Sequence, residues 1–310
     1  GSDFTLTNLP FNAFSVDTME FYGQVSCMKG GITGSDIVTT VSPTYAREIL
    51  TPEYGEGLEA LLALRGEALR GILNGLNAEI FNPRTDPHIV QQFDQGSIPE
   101  RAKNRDALRA EFHLPEEDGP ILSMVTRLTE QKGIDLVLGA LPELIAARAQ
   151  LIVLGDGDRW LKDELGRLEG EYGSYVRLAA RFDERLAQRI YAGSDIFLMP
   201  SRYEPCGLGQ LIAMRYGAIP IGRRTGGLAD TILDLDENPD SATGFLFVEF
   251  STVGFVAAFE RAAVAFRDQA AWQRLQNNAM SRDYSWRASA NHYVETYIAA
   301  LRARGIVPLE

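Results

Sequence analysis

Three loops carry the residues that could do chemistry. In Val125-Thr126-Arg127-Leu128-Thr129-Glu130-Gln131-Lys132-Gly133 an apolar stretch gives way to two cations, Arg127 and Lys132. An arginine presents a planar fork of donors and a lysine a point charge, so the pair suits one phosphate-bearing ligand. The alternative is two solvated cations in a basic loop. In Pro200-Ser201-Arg202-Tyr203-Glu204-Pro205-Cys206-Gly207-Leu208-Gly209-Gln210 a glutamate follows another apolar stretch. Glu204 there can hydrogen-bond hydroxyls while main-chain amides beside Gly207 face an anion; a solvated strand-end loop is the competing reading. The third loop, Gly222-Arg223-Arg224-Thr225-Gly226-Gly227-Leu228, has glycines that let the backbone approach a ligand and amides that can hold a diphosphate. Gly155-Asp156-Gly157-Asp158 occupies the same kind of position and, taken alone, fits a plain turn.

The elements that must position these loops follow from the pattern around them. Apolar runs recur at Ile121–Thr126, Gln150–Leu154, Tyr175–Ala179, Asp195–Met199 and Ala218–Ile221. Helical patterns lie between them at Ile134–Ala147, Arg159–Glu169, Glu184–Ala192 and Leu208–Arg215. Strand, helix, strand at this spacing predicts an α/β fold, a Rossmann-like parallel sheet covered on both faces. Open sheets of this kind bind ligands at the carboxyl ends of their strands, where all the loops named above fall. Upstream, the pattern predicts a helical stretch over Thr18–Lys29, strands at Asp36–Thr40 and Arg70–Leu73, and a helix opened by Ser42-Pro43. Residues 82–100, rich in Pro, Asp and Gln, read as a linker. Downstream the chain is helical over Phe255–Phe266, Ala271–Met280 and Arg287–Leu301, the last with Tyr293 and Tyr297 on one stripe.

Composition narrows the classes. A 310-residue chain with 45% hydrophobic and 23% charged residues is globular and long enough for two domains. The net charge of −12 argues against a dedicated nucleic-acid binder. Two cysteines, Cys27 and Cys206, make no disulfide framework and point to a reducing, cytoplasmic setting. No apolar run approaches the length of a membrane span. The opening Gly1-Ser2 reads as a tag remnant, so the natural chain is expected to begin elsewhere. No His/Cys group has zinc-ligand spacing, and Asp234-Leu235-Asp236 reads as a solvated acidic loop. His88, His113 and His292 read as structural or exposed.

Taken together, the loops and their order resemble the bacterial glycogen synthase and plant starch synthase family of retaining glucosyltransferases. The resemblance runs over nearly the whole chain. Its marks are Glu20-Phe21-Tyr22-Gly23-Gln24-Val25-Ser26, Thr39-Thr40-Val41-Ser42-Pro43-Thr44-Tyr45-Ala46 and Gly71-Ile72-Leu73-Asn74-Gly75 in the first part. Arg127-Leu128-Thr129 with Gln131-Lys132-Gly133, and Arg224-Thr225-Gly226-Gly227-Leu228-Ala229-Asp230-Thr231, follow later. Glu204-Pro205-Cys206-Gly207-Leu208 is the most specific. The resemblance implies the GT-B fold, here a complete C-terminal domain plus a partial N-terminal one. Residues 1–81 would be the remnant of the N-terminal domain, 82–100 the linker and 101–284 the donor-binding domain. Residues 285–310 would form a C-terminal helix crossing back to the N-terminal part. It also implies ADP-glucose as donor substrate, an α-1,4-glucan as acceptor, retention of configuration, and neither metal nor cofactor. Arg127 and Lys132 would contact the donor diphosphate and Glu204 the glucose hydroxyls, these three being the catalytic set. Cys206, Gly207 and Leu208 would lie alongside by their backbone, and Asn74 near the sugar. Phe182 would stack on the adenine, and Gly155, Thr225, Gly226 and Gly227 would line the donor cleft.

Departures from the family pattern matter. Related GT-B enzymes carry a second glutamate where this chain has Ile212, which favours the glycogen synthase branch. Gly209 replaces the usual threonine. The glycine loop, histidine and aspartate that the family's front domain supplies have no counterpart, so the expectation is ADP binding with glucose transfer near background. Two other readings stand beside this one: a GT-B enzyme using another sugar nucleotide or acceptor, and a non-catalytic nucleotide-binding module.

Overall fold

The computed structural model describes residues 2–306. They divide into two units, one made of residues up to Leu73 with those from Ser289 onward, the other of Asn74–Ala288.

In the first unit a short hairpin pairs β1 (Glu20–Phe21) with β2 (Gln24–Val25), and α1 (Cys27–Gly34) follows. The helical pattern over 18–29 is therefore interrupted. Gly23, at φ +78°, makes the turn and gives its N–H to the Glu20 carboxylate at 2.6 Å. The Ser26 side chain then caps the helix by accepting from the Lys29 N–H. Strand β3 (Val38–Thr40) lies parallel to β4 (Leu69–Gly71), with α2 (Pro43–Glu48) and α3 (Glu59–Ala63) between them in sequence. Ser42 caps α2 as its sequence predicts. Ile32, Ile49, Leu58 and Leu62 form this unit's small core.

The second unit is a six-stranded, all-parallel sheet in the order β10-β9-β8-β5-β6-β7. Its strands are β5 (Ile121–Val125), β6 (Gln150–Leu154), β7 (Val176–Ala179), β8 (Ile196–Met199), β9 (Ile219–Arg223) and β10 (Phe245–Phe247). Chain direction outward from β5 reverses between β7 and β8, so β5 and β8 are neighbours at a topological switch point. Helix α4 (Ala102–Glu111) precedes the sheet, and the crossing helices are α5 (Ile134–Gly139), α6 (Leu141–Ala146), α7 (Arg159–Glu171), α8 (Glu184–Gly193), α9 (Gly209–Arg215) and α10 (Gly226–Thr231). After β10 come α11 (Thr252–Arg267), α12 (Gln269–Ser281) and α13 (Trp286–Ala303), the last continuing into the first unit from Ser289.

Sequence and structure part in four more places here. The helix expected over 134–147 breaks at Ala140, and Pro142 sits in the first turn of α6, where a missing N–H costs nothing. Strand β10 is three residues long and gave no periodic signal, and α4, a polar helix, escaped because Leu108 is the one apolar residue it buries, beside Asn104 and Arg109. The stretch 82–100 is packed rather than loose: Ile89, Phe93 and Ile98 are buried in the same core as the sheet. Its Asn and Asp side chains cap local turns, Asn82 accepting from Arg84, Asp86 from His88 and Asp94 from Gly96, a composition easily mistaken for a linker.

Candidate functional site

The carboxyl edge of the sheet gathers the loops after β5, β6, β7, β8 and β9. Those after β5 and β8, on either side of the switch point, are stitched together by three contacts. The Arg202 N–H donates to the Gln131 carbonyl at 2.8 Å, and the Gln131 amide donates to the Tyr203 carbonyl at 3.1 Å. The Lys132 ammonium meets the Glu204 carboxylate at 2.6 Å. Gly133 makes this approach possible, since a Cβ there would overlap the Pro200 carbonyl and its φ of +65° is left-handed. The Lys132–Glu204 pair is largely withdrawn from water, the two side chains being 14% and 8% exposed, and the Ser201 hydroxyl adds a bond to the same carboxylate oxygen at 3.0 Å. A buried carboxylate is tolerated here because a cation and a hydroxyl both face it.

The loop after β9 closes on the same glutamate. Gly226 lies against the Glu204 carbonyl and Gly227 against the Cys206 carbonyl, each so close that a Cβ would overlap the oxygen. The Gly227 N–H donates to the Glu204 carbonyl at 3.0 Å. Thr225 is buried beside them. The Asn74 main chain hydrogen-bonds the Cys206 thiol, which brings Asn74 to this cluster. Burial pushes the Cys206 thiol up, so it is no ready nucleophile. Leu208, next along, is partly exposed.

Arg127 belongs to the neighbouring space. With Gly155, Phe182, His88, Gln188 and Ile212 it lines a cavity of about 880 Å³. The Arg127 guanidinium has no hydrogen-bond or ion-pair partner among the described residues. Phe182 is 84% exposed, its ring open to a stacking partner, and Asp183 beside it caps α8 by accepting from the Leu186 N–H at 2.9 Å. Gly155 sits so close to the Thr126 carbonyl that no side chain fits, which keeps the floor of this cavity low. An unpaired cation, an open aromatic face and a glycine floor are what a nucleotide phosphate and base would require.

Every site residue named from the sequence thus lies at one sheet edge, in two adjoining groups. Arg127, Gly155 and Phe182 make one; Lys132, Glu204, Asn74, Cys206, Gly207, Leu208, Thr225, Gly226 and Gly227 make the other. Sequence reasoning set His88 aside as structural or exposed, but it stands in the cavity wall; no motif flagged it, and only the folding of 82–100 onto the sheet brings it there. Asp234, read as part of a solvated loop, is buried: it is clasped by Arg261 at 2.9 and 3.1 Å and accepts the Leu246 N–H. No group of three or more metal-ligating side chains occurs among the described residues. Gly209 has its own logic, because a Cβ there would press on the Phe197 ring at 3.0 Å. A second cleft of about 520 Å³ lies at the opposite edge, lined by Arg101, Arg105 and Asp195. Two of its cations are spent, Arg105 on Asp195 and the Gly119 carbonyl and Arg101 on three main-chain carbonyls.

Known proteins give this geometry a context. The profile of the starch synthase catalytic domain matches residues 1–64, and that of glycosyl transferases group 1 matches residues 119–263. The chain is 46% identical over 298 residues to glycogen synthase 2 of Nitrosococcus oceani, covering 95% of itself and 61% of that protein. It is likewise 46% identical over 302 residues to glycogen synthase of Anoxybacillus flavithermus, covering 97% and 62%. Among solved structures, the catalytic domain of starch synthase IV from Arabidopsis thaliana, bound to ADP and acarbose, superposes with a TM-score of 0.89 at 39% identity. That match covers 95% of this chain and 62% of the other. The chain therefore spans about three fifths of the length of the relatives it matches.

Proposed function

The chain belongs to the glycogen synthase and starch synthase family, and from that premise we propose that its carboxyl edge binds ADP-glucose. The activity proposed is transfer of glucose, with retention, to the 4-hydroxyl at the non-reducing end of an α-1,4-glucan. The observation that carries the reading is Arg127, a cation without a partner among the described residues, lining the same cavity as the open ring of Phe182. Phe182 would stack on the adenine, and Gly155 leaves room for the nucleotide. Arg127 and Lys132 would meet the diphosphate, where negative charge grows as the glycosidic bond to glucose breaks and preorganised cations offset it.

Glu204 holds Lys132 in place and keeps its ammonium aimed at the diphosphate. Its remaining oxygen is available to glucose hydroxyls, with Asn74 and the Cys206–Leu208 backbone alongside. Cys206, with its raised pKa, has no nucleophilic part. The ADP and acarbose held by the Arabidopsis relative, a nucleotide and a glucan-like sugar, support both halves of this assignment.

Donor identity is the test. Saturation-transfer NMR should detect ADP-glucose on the chain, displaced by ADP, with UDP-glucose displacing it only at much higher concentration. Equal retention of UDP-glucose would overturn the assignment of an adenine donor.

A further inference from the structure

Gln210 is wholly buried at the start of α9, and its amide is committed in an unusual direction. The Nε2 group donates to the Cys206 carbonyl at 3.0 Å, to the Gly207 carbonyl at 3.0 Å and to the Thr231 hydroxyl at 3.2 Å. Its Oε1 has no partner among the described residues although it is shut away from water. Turning the amide over would set that oxygen against two carbonyl oxygens, so the orientation is fixed at the expense of a buried acceptor.

The consequence lies on the other side of the loop. In a trans peptide the carbonyl and the following N–H point in opposite directions. Drawing the Cys206 and Gly207 carbonyls inward to Gln210 therefore turns the Gly207 and Leu208 N–H groups outward. Neither has an acceptor among the described residues. Gly207, at φ +70°, allows the two successive peptides to share this sense, and a pair of convergent N–H groups makes a concave anion cradle.

Thr231 completes a ring of bonds. Its hydroxyl accepts from Gln210 and donates to the Gly227 carbonyl at 2.6 Å, while the Gly227 N–H holds the Glu204 carbonyl at 3.0 Å. The loop bearing Glu204 and the loop bearing Gly226 are thus locked to one another through two wholly buried side chains.

We infer that Gln210, anchored by Thr231, is a positioning residue that holds the Gly207 and Leu208 amides open toward the donor diphosphate. This rests on the ADP-glucose reading above. The adenine pocket at Phe182 is built from other loops, so the device acts on the phosphates and leaves the base alone.

The experiment titrates ADP and adenosine into the wild-type chain and into Gln210→Met, Thr231→Val and Thr231→Ser. Methionine keeps the volume of Gln210 without its donors, valine keeps the shape of Thr231 without its hydroxyl, and serine keeps the hydroxyl. Gln210→Met and Thr231→Val should each weaken ADP about tenfold while adenosine affinity stays unchanged, and Thr231→Ser should bind ADP as the wild type does. Wild-type ADP affinity in both Gln210→Met and Thr231→Val would overturn the proposal. So would parallel loss of ADP and adenosine, which would mark a collapsed site. If Gln210→Met fails to fold, the two Thr231 variants decide by the same criteria. A wild-type chain that ignores ADP would instead overturn the functional reading beneath.

Discussion

At the scale of single residues, the Lys132–Glu204 contact is a shielded ion pair at the proposed donor site. Two opposite charges 2.6 Å apart and mostly out of water stabilise each other only as a pair. Truncating Lys132 leaves a buried carboxylate facing only Ser201, so Lys132→Ala should lose about 2–3 kcal/mol of folding stability, discounted for water that reaches the vacated space. Denaturant unfolding of the variant and of Lys132→Ala/Glu204→Gln checks this, because neutralising the stranded carboxylate should recover most of the loss. Without recovery in the double variant, the two side chains are not energetically coupled. Lys132 and Glu204 were legible in the sequence because each follows an apolar strand in a glycine-bearing loop. His88 and Gln210 were not. His88 lies in a stretch whose composition signals no ligand and reaches the cavity wall only as 82–100 folds onto the sheet; Gln210 ends the Glu204 loop, but nothing in the loop's composition tells that its amide turns inward to Cys206, Gly207 and Thr231.

At the scale of elements, the five central strands and most crossing helices could be read from apolar runs and helical spacing. What escaped was short, polar or capped by turns: β10, α4 and the hairpin before α1. Close backbone approach was also invisible, since a glycine in sequence does not tell which carbonyl it faces. The acidic loop before β10 shows the limit of reading charge as solvation. Asp234 is a brace, receiving Arg261 and two backbone N–H groups. Burial alone would raise its pKa, but the Arg261 and backbone hydrogen bonds outweigh burial and hold it below the ordinary value of 3.8. A carboxylate with a depressed folded pKa contributes stability that is fully present above its unfolded pKa and lost as pH falls through the folded one. Asp234→Asn should therefore be less stable than wild type at neutral pH, with the gap narrowing as pH falls below about 4. Thermal melts across that range measure it; a gap of constant width would mean that the charge of Asp234 contributes nothing.

At the scale of the whole molecule, one parallel sheet with a switch point between β5 and β8 brings five loops to a common edge. That placement followed from the alternation of strands and helices. The division of the chain into its two units lay outside that alternation: the family resemblance put a boundary after residue 81 and returned residues 285–310 to the first part, where the units observed are residues up to Leu73 with those from Ser289 onward, and Asn74–Ala288. The central claim is that this edge is a nucleotide-diphosphate site in which Arg127 is the uncompensated cation. Calorimetric titration of ADP into the chain and into Arg127→Ala tests it most directly. Arg127 has no partner among the described residues to strand, so the variant should fold as the wild type does while its ADP affinity falls at least tenfold, about the worth of one charge-assisted contact. Equal ADP affinity in the two proteins, or no ADP binding by the wild type, would contradict it.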